Sequence, residues 1–351
     1  MIRNRDANEM DLANKIRTIK KELGEKLVIL THHYQRREIV DLGDYRGDSF
    51  DLSQKAAGDK EARYIIFCGV RFMAESADIL SQPDQIVQIP AKRAGCPMAN
   101  MADSHTVERV WEELSTILGS QRITPIVYMN SDAELKAFCG RNDGMVCTSS
   151  NALKAMEWGF DRGDKILFFP DQHLGRNTGN LMGLSPEEMI VWDPEESLGG
   201  NTLDEIKAAR LILWNGYCLV HTRFQAEHIR KMKKKYPDAK VIVHPECPQE
   251  VVGLADASGS TSHIVMYVEK APPGSTILIG TEINLVERLA LEYPDRQIIP
   301  LHRSLCSNMF KINLENLLWT MENIGRVNVV RVPDHVKKDA RKALDRMLDL
   351  Y

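Results

Sequence analysis

LVILTHHYQ, residues 27 to 35, sets a pattern that the rest of the chain repeats: a short β-branched apolar run that ends abruptly in polar, chemically capable side chains. A run this short and apolar throughout reads as a strand buried on both faces, as in a parallel sheet. YIIF at 64 to 67 follows before CGVRFMAES, and IVQI at 86 to 89 leads to AGCPMANM. The order restarts with PIVY at 125 to 128 before MNSDAELKA, ILFF at 166 to 169 before PDQHLG, and LILW at 211 to 214 before NGYCLVH. It restarts again with VIVH at 241 to 244 before PECPQEVV, TILI at 276 to 279 before GTEINLVERL, and QIIP at 297 to 300 before LHRSLCSNM. Segments 9 to 23, 104 to 118, 222 to 236 and 336 to 349 have the apolar spacing of helices.

Three rounds of strand, polar loop and helix, each closing on a loop with one cysteine, predict a triplicated α/β unit of about one hundred residues. The boundaries expected from this are 1 to 104 with an N-terminal helix, 105 to 220, and 221 to 351 with a C-terminal helix. Ligands of open parallel sheets sit beyond the carboxyl ends of the strands, where helix N-termini present free N–H groups. Three such units facing one another would therefore line one central cavity with HHYQ, MNS, TSSN, PDQH, HPE, GSTS and GTE.

The 351 residues are 43% hydrophobic and 27% charged, so a packed core is expected throughout and disorder is excluded. A formal net charge of -4 gives no basic field for a nucleic-acid backbone, and the run Lys233 to Lys235 reads as a solvated helix face. The charged start MIRNRDANEMDLANKIRTIKKELGEK has no apolar secretory core, and no stretch reaches the ~18 apolar residues of a membrane span. The expectation is a soluble cytoplasmic protein with no nucleic-acid or membrane partner.

Seven dispersed cysteines do not form a disulfide framework. Cys96, Cys218 and Cys306 hold corresponding places after the last strand of each round. They lack local C-x-x-C spacing, but three equivalent loops around a common centre could bring three thiolates to one point. Three soft ligands would leave one iron of a four-iron cluster open as a Lewis acid. Cys68 reads as core. Cys139 and Cys147 bracket CGRNDGMVC and either pair reversibly or do nothing, and Cys247 competes as a ligand by its place at a strand end.

His244 and Glu246 end a strand, where an imidazole and a carboxylate suit proton transfer; each could equally be structural. In an extended chain His32 and Tyr34 share a side while His33 faces away. Ser49, Ser149, Ser260 and Thr261 stand beside glycine or at helix starts, where a hydroxyl is either a cap or part of an anion site.

THHYQ, GDSFDLS, GVRFMAESADIL, AGCPMANM, YMNSDAELKA, CTSSNA, FFPDQHLGRN, GYCLVHTRF, HPECPQEV, GSTS and GTE, in this order, resemble the quinolinate synthase family along nearly the whole chain. The resemblance implies a pseudo-threefold arrangement of three α/β/α sandwich domains with short parallel sheets around a central active site. It implies one four-iron four-sulfur (4Fe-4S) cluster on Cys96, Cys218 and Cys306, and it demotes Cys247. His32, Ser49, Ser149, His244, Ser260 and Thr261 would hold substrate phosphate and carboxylates. Tyr128 and Asn130 would contact the substrate backbone, and Glu246, Tyr34 and His32 would move protons. The implied activity is that of a condensing and dehydrating transferase of NAD biosynthesis. It joins iminoaspartate, supplied by an aspartate oxidase or dehydrogenase, to dihydroxyacetone phosphate. Cys306 stands alone where some members carry C-x-x-C-x-x-C. The insertion CGRNDGMVC leaves Thr148 and Ser150 beside Ser149 as candidates for the same role. Two rival readings are an iron–sulfur enzyme of the diphthamide-synthesis type and a non-catalytic iron–sulfur or zinc sensor.

Overall fold

The structure is a computed structural model that describes residues 2–350, with side chains from residue 8. Three parallel sheets organise the chain. In the first, Leu27–His32 lies between Tyr45–Gly47 and Tyr64–Cys68, and Ile86–Gln88 follows on the far side of Tyr64–Cys68. In the second, Ile123–Tyr128 lies between Met145–Cys147 and Lys165–Phe169, followed by Leu211–Trp214 and, at the edge, Met189–Trp192. In the third, Lys240–Val243 lies between Ala257–Ser258 and Thr276–Gly280, followed by Gln297–Pro300. Four strands of each sheet thus repeat one order, in which a unit's first strand sits between its second and third and its last strand comes beyond the third, and the second sheet adds Met189–Trp192 at its edge. The α/β class and the repeated short parallel sheets agree with the sequence reading.

The nine β-branched runs all form strands, and the central ones are buried along their whole length: Leu27–His32 and Lys165–Phe169 at every position. Side chains from helices on both faces exclude water from such strands, which is why their sequences do not alternate. The first two units share one continuous apolar core, whereas the third sheet has a separate cluster on each face.

Beyond the third sheet the chain does not stay with the third unit. Val329–Val330 pairs antiparallel with Ile86–Gln88 at the edge of the first sheet. The final helix, Asp334–Asp349, buries Val336, Ala340, Ala343, Leu344 and Met347 in the core of the first two units. It crosses the helix Ala133–Arg141 so closely that a Cβ on Gly140 would stand 1.9 Å from the carbonyl oxygen of Asp339. The expected grouping of residues 221 to 351 as one unit therefore departs from the packing. The apolar stripe of the last helix finds its partner surface on the second unit, which the order of the sequence does not show. Among the described residues no helix is long and apolar enough to cross a membrane.

Candidate active site

Loops from all three sheets line one cavity. Of the residues singled out in the sequence, His32, Tyr34, Ser49, Cys96, Tyr128, Asn130, Ser149, Cys218, His244, Glu246, Thr261 and Cys306 line it. Ser260 does not. Its hydroxyl caps the helix Thr261–Lys270 by accepting from His263 N at 3.3 Å, so it serves the helix start. Cys68 is core, and Cys247 is buried against Gly280 in the core of the third unit, away from the cavity lining. Cys139 and Cys147 are free and fully buried.

The cysteine loops are built alike. Each cysteine stands three residues before a short 3-10 turn: Ala99–Met101, His221–Arg223 and Met309–Lys311. In each, the carbonyl of the cysteine accepts from the residue four positions on, namely Asn100, Thr222 and Phe310. This geometry turns backbone N–H groups toward the sulfurs: Ala99 and Met98 toward Cys96, His221 toward Cys218, Met309 and Asn308 toward Cys306. Burial dominates in the metal-free protein, pushing Cys96 up to about 12, Cys218 well above the ordinary thiol range, and Cys306 upward. A bound cation inverts that balance, because thiolate is the ligating form. Three soft donors, each with N–H groups to steady a thiolate, on one cavity fit an iron–sulfur cluster.

Glu246 anchors a hydrogen-bonded chain across the units. The Tyr128 hydroxyl donates to its Oε1 at 2.5 Å, and His221 Nδ1 lies 2.5 Å from its Oε2. Nε2 of His221 meets Thr281 Oγ1 at 3.1 Å, Thr281 Oγ1 meets the Tyr34 hydroxyl at 2.8 Å, and Thr261 donates to Tyr34 at 3.1 Å. With the proton of His221 on Nδ1 facing the carboxylate, Nε2 is an acceptor. The chain then runs in one direction, from Thr261 through Tyr34 and Thr281 to His221. The ligand atoms of Cys218, His221 and Glu246 lie within 4.8 Å of one another, so this chain abuts the second cysteine.

Two histidines repeat one local device. The N–H of Tyr34 donates to Nδ1 of His32 at 3.1 Å, and the N–H of Glu246 donates to Nδ1 of His244 at 3.3 Å. Each is a strand-end histidine that accepts from the residue two positions on, which leaves the proton of the neutral ring on Nε2. Burial pushes His32 down to about 4 and, with His221 beside it, His244 down to about 3, so both rings are neutral near pH 7. Burial pushes Glu246 upward, but His221 and the hydrogen bonds from His221 and Tyr128 outweigh it and hold the carboxyl below its ordinary range. Burial, then the Glu246 charge, raises Tyr34 and Tyr128 well above ordinary phenols. His33 faces away, 2.9 Å from Arg288.

The helices Ser49–Gly58 and Thr261–Lys270 begin at the cavity with Ser49 and Thr261. Thr148 and Ser149 both line the cavity, Thr148 also donating to Asn151 Oδ1 at 3.2 Å, whereas Ser150 donates to Asp48 at 2.8 Å. His221 and Thr281 were not among the sequence candidates. Register offers the signal for His221, since it stands third after Cys218 as Ala99 does after Cys96 and Met309 after Cys306. Thr281 sits in GTE at a strand end, where polar residues meet the cavity.

The family described as "Quinolinate synthetase A protein" matches residues 14–349. Among curated relatives, a quinolinate synthase of Corynebacterium glutamicum is 49% identical over 349 residues, covering 98% of this chain and 89% of the relative. One of Acidobacterium capsulatum is 50% identical over 344 residues, covering 96% and 92%. One of Rhodopirellula baltica is 47% identical over 353 residues, covering 96% and 90%. With a family match across almost every element that builds the cavity, and near-half identity along full-length relatives, this chain belongs to the quinolinate synthase family.

Proposed function

We propose that the cavity condenses iminoaspartate with dihydroxyacetone phosphate to quinolinate, phosphate and water in NAD biosynthesis, with a 4Fe-4S cluster on Cys96, Cys218 and Cys306. The observation that carries this reading is the meeting of three alike cysteine loops with the Glu246 chain on one cavity. When bound, the cluster supplies a Lewis acid for a substrate oxygen or nitrogen.

The protein's own residues divide the remaining work. Ser49 and Thr261 at helix N-termini, with Ser149 and Asn130, hold the phosphate and carboxylates. His32 and His244, neutral and with Nε2–H available, donate to those anions without adding charge. Tyr34 is too weak an acid to lose its proton unaided. It passes the proton through Thr281 to Nε2 of His221, and Glu246 stabilises the imidazolium that forms. Both oxygens of Glu246 are engaged by Tyr128 and His221, so it moves protons through the imidazole. Iminoaspartate is unstable in water, so an aspartate oxidase or dehydrogenase supplies it in the same compartment. An oxygen-sensitive cluster suits the reducing cytoplasm.

Anaerobic purification, an absorbance spectrum and an iron count test the cluster, and quinolinate formation from freshly generated iminoaspartate tests the reaction. Replacing Cys96, Cys218 or Cys306 by Ala abolishes the brown colour and turnover, while Cys68→Ala and Cys247→Ala keep both. Full iron content in Cys218→Ala would refute the ligand set.

A further inference from the structure

Glu282 carries a fully buried carboxyl group that the proposed chemistry does not use. It precedes the helix Ile283–Glu292 and caps it, its Oε2 accepting from Asn284 N at 2.8 Å. Short side chains are the usual N-caps, because they reach the second or third N–H of the helix without strain. The extra methylene of Glu282 carries its other oxygen past the helix start, where Oε1 accepts the backbone N–H of Cys306 at 3.3 Å. Asn284 Nδ2 donates to the same Oε1 at 3.3 Å and to the Tyr34 carbonyl at 3.0 Å. Around this node Ile283 N donates to Ser304 O at 2.8 Å, and the Ser304 hydroxyl donates to Val220 O at 2.7 Å, two residues after Cys218.

We infer that Glu282 is a positioning residue that pins the Cys306 loop. One carboxyl group fixes the third cysteine to the helix start, and through Asn284 it ties that cysteine to the backbone of Tyr34. Ser304 sets the same loop against the Cys218 loop. The side chain's length is the functional feature: aspartate at this position caps the helix but falls short of Cys306. Every partner of the carboxyl group described above is an N–H donor, so the NH₂ of a glutamine meets donors where an acceptor is required.

The consequence for iron rests on the cluster reading above, whereas the tether itself is read in metal-free protein. Under reducing conditions, metal-free wild type, Glu282→Asp and Glu282→Gln are alkylated with iodoacetamide, and Cys306 and Cys96 are followed separately by mass spectrometry. Thermal unfolding is recorded alongside. Glu282→Asp unfolds at the wild-type temperature, and its Cys306 is alkylated about tenfold faster, as expected for one lost buried hydrogen bond, while Cys96 keeps its rate. Glu282→Gln shows the same acceleration with a lower unfolding temperature. After anaerobic reconstitution, a chelator strips iron from both variants about tenfold faster than from wild type. Wild-type alkylation of Cys306 in Glu282→Asp reduces Glu282 to a helix cap and overturns the inference, as does wild-type iron release. A wild type that takes up no iron sinks the cluster reading instead, and the alkylation ratio alone then decides the tether.

Discussion

Nδ1 of His221 and Oε2 of Glu246 stand 2.5 Å apart, both fully buried, on loops that leave different sheets. The contact fixes the tautomer of the imidazole and turns its free nitrogen toward Thr281, giving a buried carboxylate a route to a tyrosine it does not touch. Glu246→Gln keeps the shape and removes the charge, and turnover falls by roughly 10² to 10⁴. His221→Ala falls by a similar factor. The double variant is little worse than either single one, because both act on the same proton. Iron content stays at the wild-type level in Glu246→Gln. Strictly additive losses in the double variant would show that the two residues act independently.

The buried imidazoles also make the fold sensitive to acid. His32 lies at about 4 and His244 at about 3, and His33 is lowered well below its ordinary value, in each case chiefly by burial. Their folded pKa values lie below the unfolded value near 6.5, so the unfolded chain takes up protons first as the pH falls. Stability is lost from about pH 6.5 downward, by about 1.4 kcal/mol per histidine for each pH unit. Glu246, lowered in the folded state, adds its own loss only below the ordinary carboxylate range. Glu282, raised by burial to about 8, and Asp171, also raised chiefly by burial, instead add stability as the pH falls from 6.5 to 5. The histidine contribution is therefore read from the difference in slope between wild type and a histidine variant. Urea unfolding of metal-free protein across that interval gives a falling free energy, with a shallower slope in His32→Gln. A slope in His32→Gln equal to that of wild type would mean that the His32 ring is already charged in the folded protein.

The nine strands were legible because two-sided burial demands unbroken β-branched runs, and the cavity because strand ends carry its polar residues. The second strand of each unit was not, since Tyr45–Gly47, Met145–Cys147 and Ala257–Ser258 are too short to show a period. His221 was missed because its partners Glu246 and Thr281 lie 25 and 60 residues away, and no local spacing encodes that meeting. Ser260 was included because a capping serine and a ligand-binding serine at a helix start have the same sequence signature. The final helix misleads for a related reason: its apolar stripe is plain, but nothing in it names the surface it covers.

Gly140 shows what that surface requires. Alanine is favoured over glycine in a helix interior by about 1 kcal/mol, so propensity alone predicts that Gly140→Ala stabilises. Its Cβ would meet the Asp339 carbonyl oxygen at 1.9 Å, a backbone atom that moves only if the last helix does. Overpacking of this kind costs about 1 to 3 kcal/mol. The variant therefore unfolds at lower urea than wild type, and truncation before residue 333 abolishes the difference between Gly and Ala or reverses it. A stabilised full-length Gly140→Ala would refute the close crossing.

Thr281 gives the sharpest test of the proton route, because it contributes one oxygen and little else to it. Its Oγ1 is 2.8 Å from the Tyr34 hydroxyl and 3.1 Å from Nε2 of His221, whereas Tyr34 and His221 themselves are 3.5 Å apart, at the outer limit of a hydrogen bond. Valine has the same shape without the hydroxyl. Thr281→Val keeps the fold, the iron and substrate binding, yet leaves two buried polar groups that must reach each other directly. Turnover falls by about 10² or more with the Michaelis constants little changed, since the loss lies in moving the proton. Thr281→Ser restores the oxygen and recovers most of the rate. A smaller pH-independent rate in Thr281→Val with an unchanged solvent deuterium isotope effect would place the slow step elsewhere. Wild-type turnover in Thr281→Val would mean that Tyr34 and His221 exchange protons without it.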